Sequence, residues 1–238
     1  MVKISAGSYD LNNWLHGGYE SDVVTVLYGG SGTGKTNFCL LAAVSQAKKG
    51  KKVIFIDSEG GFSVERVKQL VGIEDKGLVE ETLKNILVLK VTNFEEQKKA
   101  FEELLKNLGK DSSNEISLII VDGMTMLYRL DFAAARDKGE KEIQKINSVL
   151  VEQTRTLAEI ARKKEIPVII TNQVYFNQEK MESKMVGGDI LKYWGKCHIE
   201  LLHDKGRRSA LLRKHRSLAE NEFVFQIYDG GIRKRGWI

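Results

Sequence analysis

The sequence is poor in cysteine and proline and contains no long apolar run. Among 238 residues there is one proline, and the two cysteines are Cys39 and Cys197. Two cysteines at this spacing fit neither a zinc site nor a disulfide framework, so we interpret both as buried thiols in a reducing compartment. No apolar run approaches the roughly 18 residues that a membrane span needs, and the first residues lack the apolar core of a signal peptide. We therefore predict a cytoplasmic protein.

The length and composition are those of one folded domain. The chain is 42% hydrophobic and 29% charged, which argues against disorder as its overall state. Its 238 residues are enough for the core of a single α/β domain. No internal repeat, low-complexity segment or linker interrupts it. We predict one domain over residues 1–238, in which residues 1–22 form an N-terminal segment ahead of the first sheet strand.

Positive charge is concentrated near the C-terminus. The net charge is +5, and residues 199–238 contribute nine Lys or Arg against five acids, or +4. Between Lys205 and Arg216 there are six basic residues and no acid. This pattern is typical of a nucleic-acid contact, although a solvated basic hairpin would have the same composition.

Residues 29–36 match the phosphate-binding P-loop pattern G-x-x-x-x-G-K-[ST]. The apolar run 23–28 before them predicts a buried strand, and residues 37–48 after them predict a helix without Pro or Gly. Strand, loop and helix are the context that this motif requires, whereas a glycine-rich turn is the alternative. The backbone amides would cradle phosphates, Lys35 would reach the β- and γ-phosphates, and Thr36 would ligate Mg²⁺. The predicted nucleotide-binding residues here are Gly29, Gly30, Ser31, Gly32, Thr33, Gly34, Lys35 and Thr36.

Strand and helix patterns alternate along most of the chain. The runs 53–57, 86–90, 116–121 and 167–171 predict further buried strands, with helices between them. Such alternation indicates a mostly parallel sheet flanked by helices. Runs 197–202, 210–214 and 222–228 follow each other with turns between them. We predict an α/β fold whose parallel sheet carries a C-terminal antiparallel extension.

Three polar residues follow strands of the predicted sheet. Asp122 ends the apolar run 118–121, the Walker B pattern, and would hold Mg²⁺. Glu59 follows the second strand and could accept a proton from the attacking water, and Gln173 follows the fifth and could sense the γ-phosphate. Ligands of open parallel sheets bind at the carboxyl ends of strands, where these residues would meet. Alternatively, the two acids are turn residues and Gln173 satisfies backbone groups.

Taken together, these motifs resemble the catalytic core of the RecA/RadA recombinase family, and most closely its archaeal paralogues. The resemblance covers nearly the whole chain. It implies a RecA-like P-loop NTPase fold with ATP and Mg²⁺ as cofactors. The stretches that carry it are 8–18, 29–36, 56–62 with Glu65 and Arg66, 127–129, 171–174 and 187–190.

The resemblance assigns roles by position. It implies that Glu59 is the catalytic glutamate, that Arg66 stacks on the adenine, and that Gln173 couples the γ-phosphate to a DNA-binding loop. Lys35 completes the predicted catalytic set. Two DNA loops, 129–139 and 174–187, are implied. Basic and aromatic side chains together suit single-stranded DNA, although mobile loops of ordinary surface charge are the alternative. The predicted DNA-binding residues are Arg129, Arg136, Lys138, Tyr175, Phe176, Lys180 and Lys184, with Arg213, Lys214 and Arg216 of the basic run.

The sequence also departs from the family pattern. We expect no N-terminal helix-hairpin-helix domain and no linker phenylalanine for polymerisation, and hence poor filament formation, a possible homodimer and weak ATP hydrolysis. Gly123 stands where the family often has Ser, which could loosen the magnesium shell.

Three functions are compatible with these patterns. The first is an ATP-binding, DNA-binding accessory of homologous recombination and repair that assists the main recombinase or other repair proteins. Its expected DNA is single-stranded, with double-stranded DNA as the alternative. The second is a DNA-dependent ATPase that itself catalyses strand exchange. The third is a circadian-clock (KaiC-type) ATPase, against which the 171–173 stretch and the basic C-terminal strands argue.

Overall fold

A computed structural model describes residues 2–110, 116–177 and 182–236. In order along the chain, the strands are β1 (Lys3–Ile4), β2 (Tyr19–Glu20), β3 (Val24–Gly29), β4 (Lys52–Asp57), β5 (Ile86–Lys90), β6 (Ile116–Asp122), β7 (Val168–Asn177), β8 (Glu182–Met185), β9 (Cys197–Asp204), β10 (Arg207–Lys214), β11 (Asn221–Tyr228) and β12 (Gly231–Lys234). The helices are α1 (Tyr9–Trp14), α2 (Lys35–Ala47), α3 (Val64–Val71), α4 (Lys76–Lys84), α5 (Phe94–Lys110), α6 (Met126–Arg136), α7 (Glu140–Lys164) and α8 (Gly188–Trp194).

A ten-stranded sheet organises the domain. Its order is β12-β11-β10-β9-β3-β7-β6-β4-β5, with β8 paired to β7 outside that path. The strands from β9 to β5 run parallel, and β9 to β12 pair antiparallel. The predicted parallel sheet with a C-terminal antiparallel extension is therefore confirmed.

Side-chain alternation along the strands fills a core on each face of the sheet. Val53 and Phe55 of β4 pack into the core shared with α2, whereas Ile54 and Ile56 face the core shared with α5 and α7. Strands buried on both faces read as continuous apolar runs, which is why β3, β4 and β6 were predictable. Cys39 and Cys197 are buried free thiols, as predicted. Within the described ranges, no helix is long and apolar enough to span a membrane.

The two predicted DNA loops are mostly regular structure. Residues 126–136 form α6, which buries Leu127, Tyr128 and Ala135 against the domain. The second predicted loop contains the end of β7 and all of β8, paired antiparallel from Val174 opposite Met185. The description of both segments as loops was wrong. The sequence analysis also overlooked α1, α4, α8 and β12.

Candidate functional site

The P-loop joins β3 to α2 at the carboxyl edge of the sheet. Gly34 caps α2 with a φ of +110°, which favours glycine. A Cβ there would lie 3.0 Å from Ile227 Cδ1 of β11, so the loop packs closely on the antiparallel extension. Lys35 is buried, and its ammonium donates to the carbonyl oxygens of Gly29 (3.0 Å) and Gly30 (2.8 Å). Residues 29–36 thus form a compact loop with Lys35 folded across it.

Asp122 and Thr36 meet beside this loop. The Thr36 hydroxyl donates to Asp122 Oδ2 at 2.8 Å, and the Thr171 hydroxyl donates to Asp122 Oδ1 at 2.6 Å. The Gly123 amide in turn donates to Thr171 Oγ1 at 2.7 Å. Burial raises the pKa of the Asp122 carboxyl, while the hydrogen bonds from Thr171 and Thr36 oppose that shift. The carboxylate is therefore held in a fixed orientation by two hydroxyls.

This oxygen cluster fits a magnesium ion bound together with a triphosphate. Hydroxyl and carboxylate oxygens are ligand types that Mg²⁺ accepts, and Thr36 and Asp122 would supply them. A Cβ on Gly61 would lie 3.0 Å from Thr36 Cγ2 and 3.2 Å from Asp122 Oδ2, so glycine keeps this space open. When bound, the ion neutralises charge on phosphate oxygens. Within the described ranges, no group of three His, Cys, Asp or Glu side chains could hold a metal.

Glu59 and Gln173 lie together at the same sheet edge as Asp122. Gln173 Nε2 donates to Glu59 Oε1 at 3.1 Å, and Gln173 pairs in register with Gly29 across β3 and β7. Burial lowers the pKa of Lys35, and the negative charges of Glu59 and Asp122 oppose that shift. The structure thus brings all three predicted strand-end residues to the P-loop lysine.

Two residues of this site were missed by the sequence analysis. Asp57 is buried, and its carboxylate accepts from the backbone amides of Gly61 (3.1 Å) and Phe62 (3.0 Å), which shapes the turn that carries Glu59. Thr171 orients Asp122, as described above. Asp57 lies three residues before Gly60-Gly61, so a carboxylate that caps a turn could have been inferred there. No sequence signal pointed to Thr171.

Gly123 has a steric role. Its φ is +90°, and a Cβ would lie 2.4 Å from Ser58 Oγ and 2.6 Å from Glu59 Cγ. The Ser58 hydroxyl donates to the carbonyl oxygens of Asp122 and Gly123, both at 2.8 Å. The space that a side chain at position 123 would need is therefore filled by Ser58, the residue after β4. Its hydrogen bonds join the ends of β4 and β6.

Arg66 is anchored at the edges of its guanidinium group. Nε donates to Asn37 Oδ1 (2.9 Å), and Nη1 and Nη2 donate to the carbonyl oxygens of Asp229 (3.1 Å) and Tyr228 (2.9 Å). Burial lowers its pKa, and Asp229 opposes that shift. Because the N–H bonds lie in the guanidinium plane, these contacts leave its faces for stacking. Adenine stacking by Arg66 stays a prediction.

The predicted DNA-binding residues fall into three places. Arg129 and Arg136 are exposed on α6, and Lys138 is exposed just after it. Tyr175 is 44% exposed on β7, and Lys184 lies opposite it on β8. Lys180 lies outside the described residues, as does the side chain of Phe176. The remaining three cations lie on β10 and in the turn after it.

Those last three cations have acceptors within the protein. Arg213 Nε contacts Glu200 Oε2 at 2.7 Å, and Lys214 Nζ donates to the carbonyl oxygens of Lys192 and Gly195, both at 2.9 Å. Arg216 has two acidic partners, which are Glu20 Oε2, 2.8 Å from its Nε, and the carboxylate of Asp22. These contacts give the three side chains a structural role, so our proposals on DNA binding use other residues.

Replacing Arg216 with Ala should lower the free energy of unfolding by about 3 kcal/mol, because it leaves a buried carboxylate without its cation. That carboxylate belongs to Glu20, which is 3% exposed. Urea denaturation measures the effect. The control is Arg155→Ala on α7, whose partner Glu159 is exposed; it should cost less than about 1 kcal/mol. Equal stability of the two variants would contradict the structural role of Arg216.

Comparisons with known proteins agree with this geometry. The Rad51 family profile matches residues 1–235. The chain is 39% identical to the DNA repair and recombination protein RadB of Methanococcus maripaludis strain C7 over 93% of this chain and 96% of that protein. Proteins with the same name from Methanocaldococcus jannaschii (37% identical, 93% and 98% covered) and Methanobrevibacter smithii (36%, 93% and 92%) are also similar.

Proposed function

We propose, from the premise that this chain belongs to the Rad51 family, that it is an ATP-binding, DNA-binding accessory of homologous recombination and DNA repair. The predicted resemblance to archaeal paralogues of the RecA/RadA family is confirmed by relatives named RadB that align over nearly the full length. Family membership implies nucleotide binding. It also argues against the clock-type alternative.

The observation that carries the proposal is the gathering of polar groups from three strand ends at one P-loop. Thr36 is hydrogen-bonded to Asp122, and Gln173 is hydrogen-bonded to Glu59. We assign Lys35 and the loop amides to the phosphates, Thr36 and Asp122 to Mg²⁺, and Glu59 to the water that attacks the γ-phosphate. This division gives each charged side chain named here one role in binding or hydrolysing the nucleotide.

The link between nucleotide and DNA is proposed to run through Gln173. This residue contacts Glu59 and directly precedes Val174, the first residue of β7 that pairs with β8. Loss of the γ-phosphate would thus change the contacts at the base of the β7–β8 hairpin, which carries Tyr175 and Lys184. The exposed cations of α6 would add phosphate contacts. We expect ATP hydrolysis to be weak. The recombinase or another repair protein would respond to the conformation that bound nucleotide sets.

The test combines three measurements on the unaltered chain. Fluorescence anisotropy gives the affinity for a labelled single-stranded oligonucleotide with and without ATP, the ATPase rate is measured with and without that DNA, and size-exclusion chromatography reports assembly. DNA binding with slow hydrolysis and no filament supports the accessory role. Strong stimulation by DNA together with filaments would favour the strand-exchange enzyme instead, and absence of DNA binding at low salt would overturn the proposed DNA contact.

A further inference from the structure

One cation of the basic run, Arg208, is partly buried and has no acceptor among the described residues. Arg207 contacts Glu222, and Arg213, Lys214 and Arg216 are held as described above. Arg208, in contrast, forms no hydrogen bond or ion pair with any described residue, and its Nε is sealed from solvent without a partner. The residue is half-buried beside Phe225, its partner across β10 and β11. A guanidinium that is partly desolvated and unpaired destabilises the free protein, so it requires an explanation.

Arg208 lines a pocket next to the P-loop. The pocket has a volume of about 480 Å³, and Arg235, Gln226 and Ile227 also line it. Ile227 is the side chain that packs against Gly34. Arg235 Nη1 donates to the carbonyl oxygen of Gly206 at 3.3 Å, and within the described ranges Arg235 forms no ion pair with an acid. Two guanidinium groups at one pocket favour an anion, and the planar donors of Arg suit phosphate oxygens.

The pocket continues into a second groove that is also cationic. This groove, about 760 Å³ in volume, shares Arg235 with the first and adds Lys205, Arg207 and Lys234 along its wall. Together the two are lined by five cations and two acids, and both acids are engaged: Asp10 accepts from the Lys234 amide, and Glu222 contacts Arg207. A row of cations with excess positive charge suits a linear polyanion better than a single small anion.

We propose that Arg208 and Arg235 form a phosphate-binding subsite for a single nucleic-acid strand that runs along this groove. The inference rests on the proposed DNA binding and adds a contact on the antiparallel extension, away from α6 and the β7–β8 hairpin. The strand supplies an acceptor for the Arg208 guanidinium, which has none among the described residues. Ile227 of the first pocket packs against Gly34, so a strand bound at Arg208 would pass close to the P-loop.

The experiment compares Arg208→Gln with the unaltered chain in anisotropy titrations of a labelled oligo-dT at several salt concentrations. Losing one phosphate contact should reduce the slope of log K against log salt by about 0.7 and weaken binding about eight-fold at about 50 mM salt. The melting temperature of the free variant should stay the same or rise, because an unpaired charge is removed. A purely structural arginine would show the opposite, a lowered melting temperature. Arg235→Gln should reduce the salt slope and the affinity for the oligonucleotide by similar amounts.

The matched control is Arg155→Gln, which makes the same charge change on α7 at an arginine paired with Glu159. It should leave the salt slope unchanged. If Arg208→Gln binds the oligonucleotide as tightly as the unaltered chain, the subsite is refuted while the proposed function stands; if the unaltered chain does not bind at low salt, both fail. If Arg208→Gln weakened the binding of poly-glutamate but not of the oligonucleotide, the proposal would also be overturned, in favour of an acidic protein partner.

Discussion

Replacing Lys35 with Ala is expected to weaken ATP binding about 10- to 100-fold, because a hydrogen bond from a charged group contributes about 1.5–3 kcal/mol. Lys35 is the first residue of α2, and its ammonium lies against the carbonyl oxygens of Gly29 and Gly30 inside the loop assigned to the phosphates. Isothermal titration calorimetry with ATP and Mg²⁺ measures the loss. Burial lowers the pKa of Lys35 because it disfavours the charged ammonium. Lys35 therefore stabilises the free protein little, and the melting temperature without ligand should change little in Lys35→Ala.

A thermal-shift series provides the control for that experiment. A ligand that binds only the folded state raises its stability by RT ln(1 + [L]/Kd), so the rise in melting temperature with ATP should shrink in Lys35→Ala. Lys48→Ala removes the same side chain from the exposed end of α2 and should behave as the unaltered chain does. Equal ATP affinity of Lys35→Ala and the unaltered chain would refute the role assigned to Lys35.

The parts of the site that the sequence predicted are those fixed by local chemistry or by the rule that ligands meet parallel strands at their carboxyl ends. The P-loop was predictable because strand, glycine loop and helix are contiguous. Asp122, Glu59 and Gln173 were predictable because each directly follows or ends a buried strand. Glu59 and Gln173 are 114 residues apart in sequence, yet they share a hydrogen bond because β4 and β7 end at the same edge of the sheet.

Helix α6 was missed because the family resemblance assigned residues 129–139 to a DNA-binding loop. Thr125 occupies the N-cap position but its side chain makes no capping bond; its hydroxyl is instead hydrogen-bonded to Asn172 of β7. The cations Arg129 and Arg136 were predicted to bind DNA, and both are exposed. Leu127 and Tyr128, in contrast, are buried and form the face of α6 that packs on the domain. A tertiary contact replaced the local cap, and local patterns do not report tertiary contacts.

The charge of the C-terminal strands was misjudged for a related reason. The run from Lys205 to Arg216 contains no acid, so its local charge predicts a basic surface. Its partners come from distant parts of the chain: Glu20 and Asp22 precede β3, and Glu200 lies on the neighbouring β9. The sheet order, which places β10 beside β9, accounts for the pair Arg213–Glu200, whereas Arg208 has no acidic partner in the described part of the chain.

Replacing Glu59 with Gln is expected to slow ATP hydrolysis by about 10²- to 10⁴-fold, the usual contribution of a general base. The substitution preserves the shape of the side chain and one carbonyl oxygen, so Gln173 Nε2 can still donate to position 59. It removes the group assigned to receive the proton from the attacking water. Single-turnover hydrolysis with protein in excess over labelled ATP measures the rate even when turnover is slow. ATP affinity should change less than about three-fold, because neither the loop amides nor Lys35 is altered.

The matched control is Glu65→Gln in the first turn of α3, an exposed glutamate paired with Lys68. It makes the same chemical change six residues away and should hydrolyse ATP at the rate of the unaltered chain. Retained hydrolysis in Glu59→Gln would show that another group accepts the proton, and absence of hydrolysis in the unaltered chain would remove the base role altogether. A rate lost in Glu59→Gln with affinity kept would separate nucleotide binding from hydrolysis. The same variant then tests whether the DNA contact responds to bound ATP alone, because it would hold the triphosphate without consuming it.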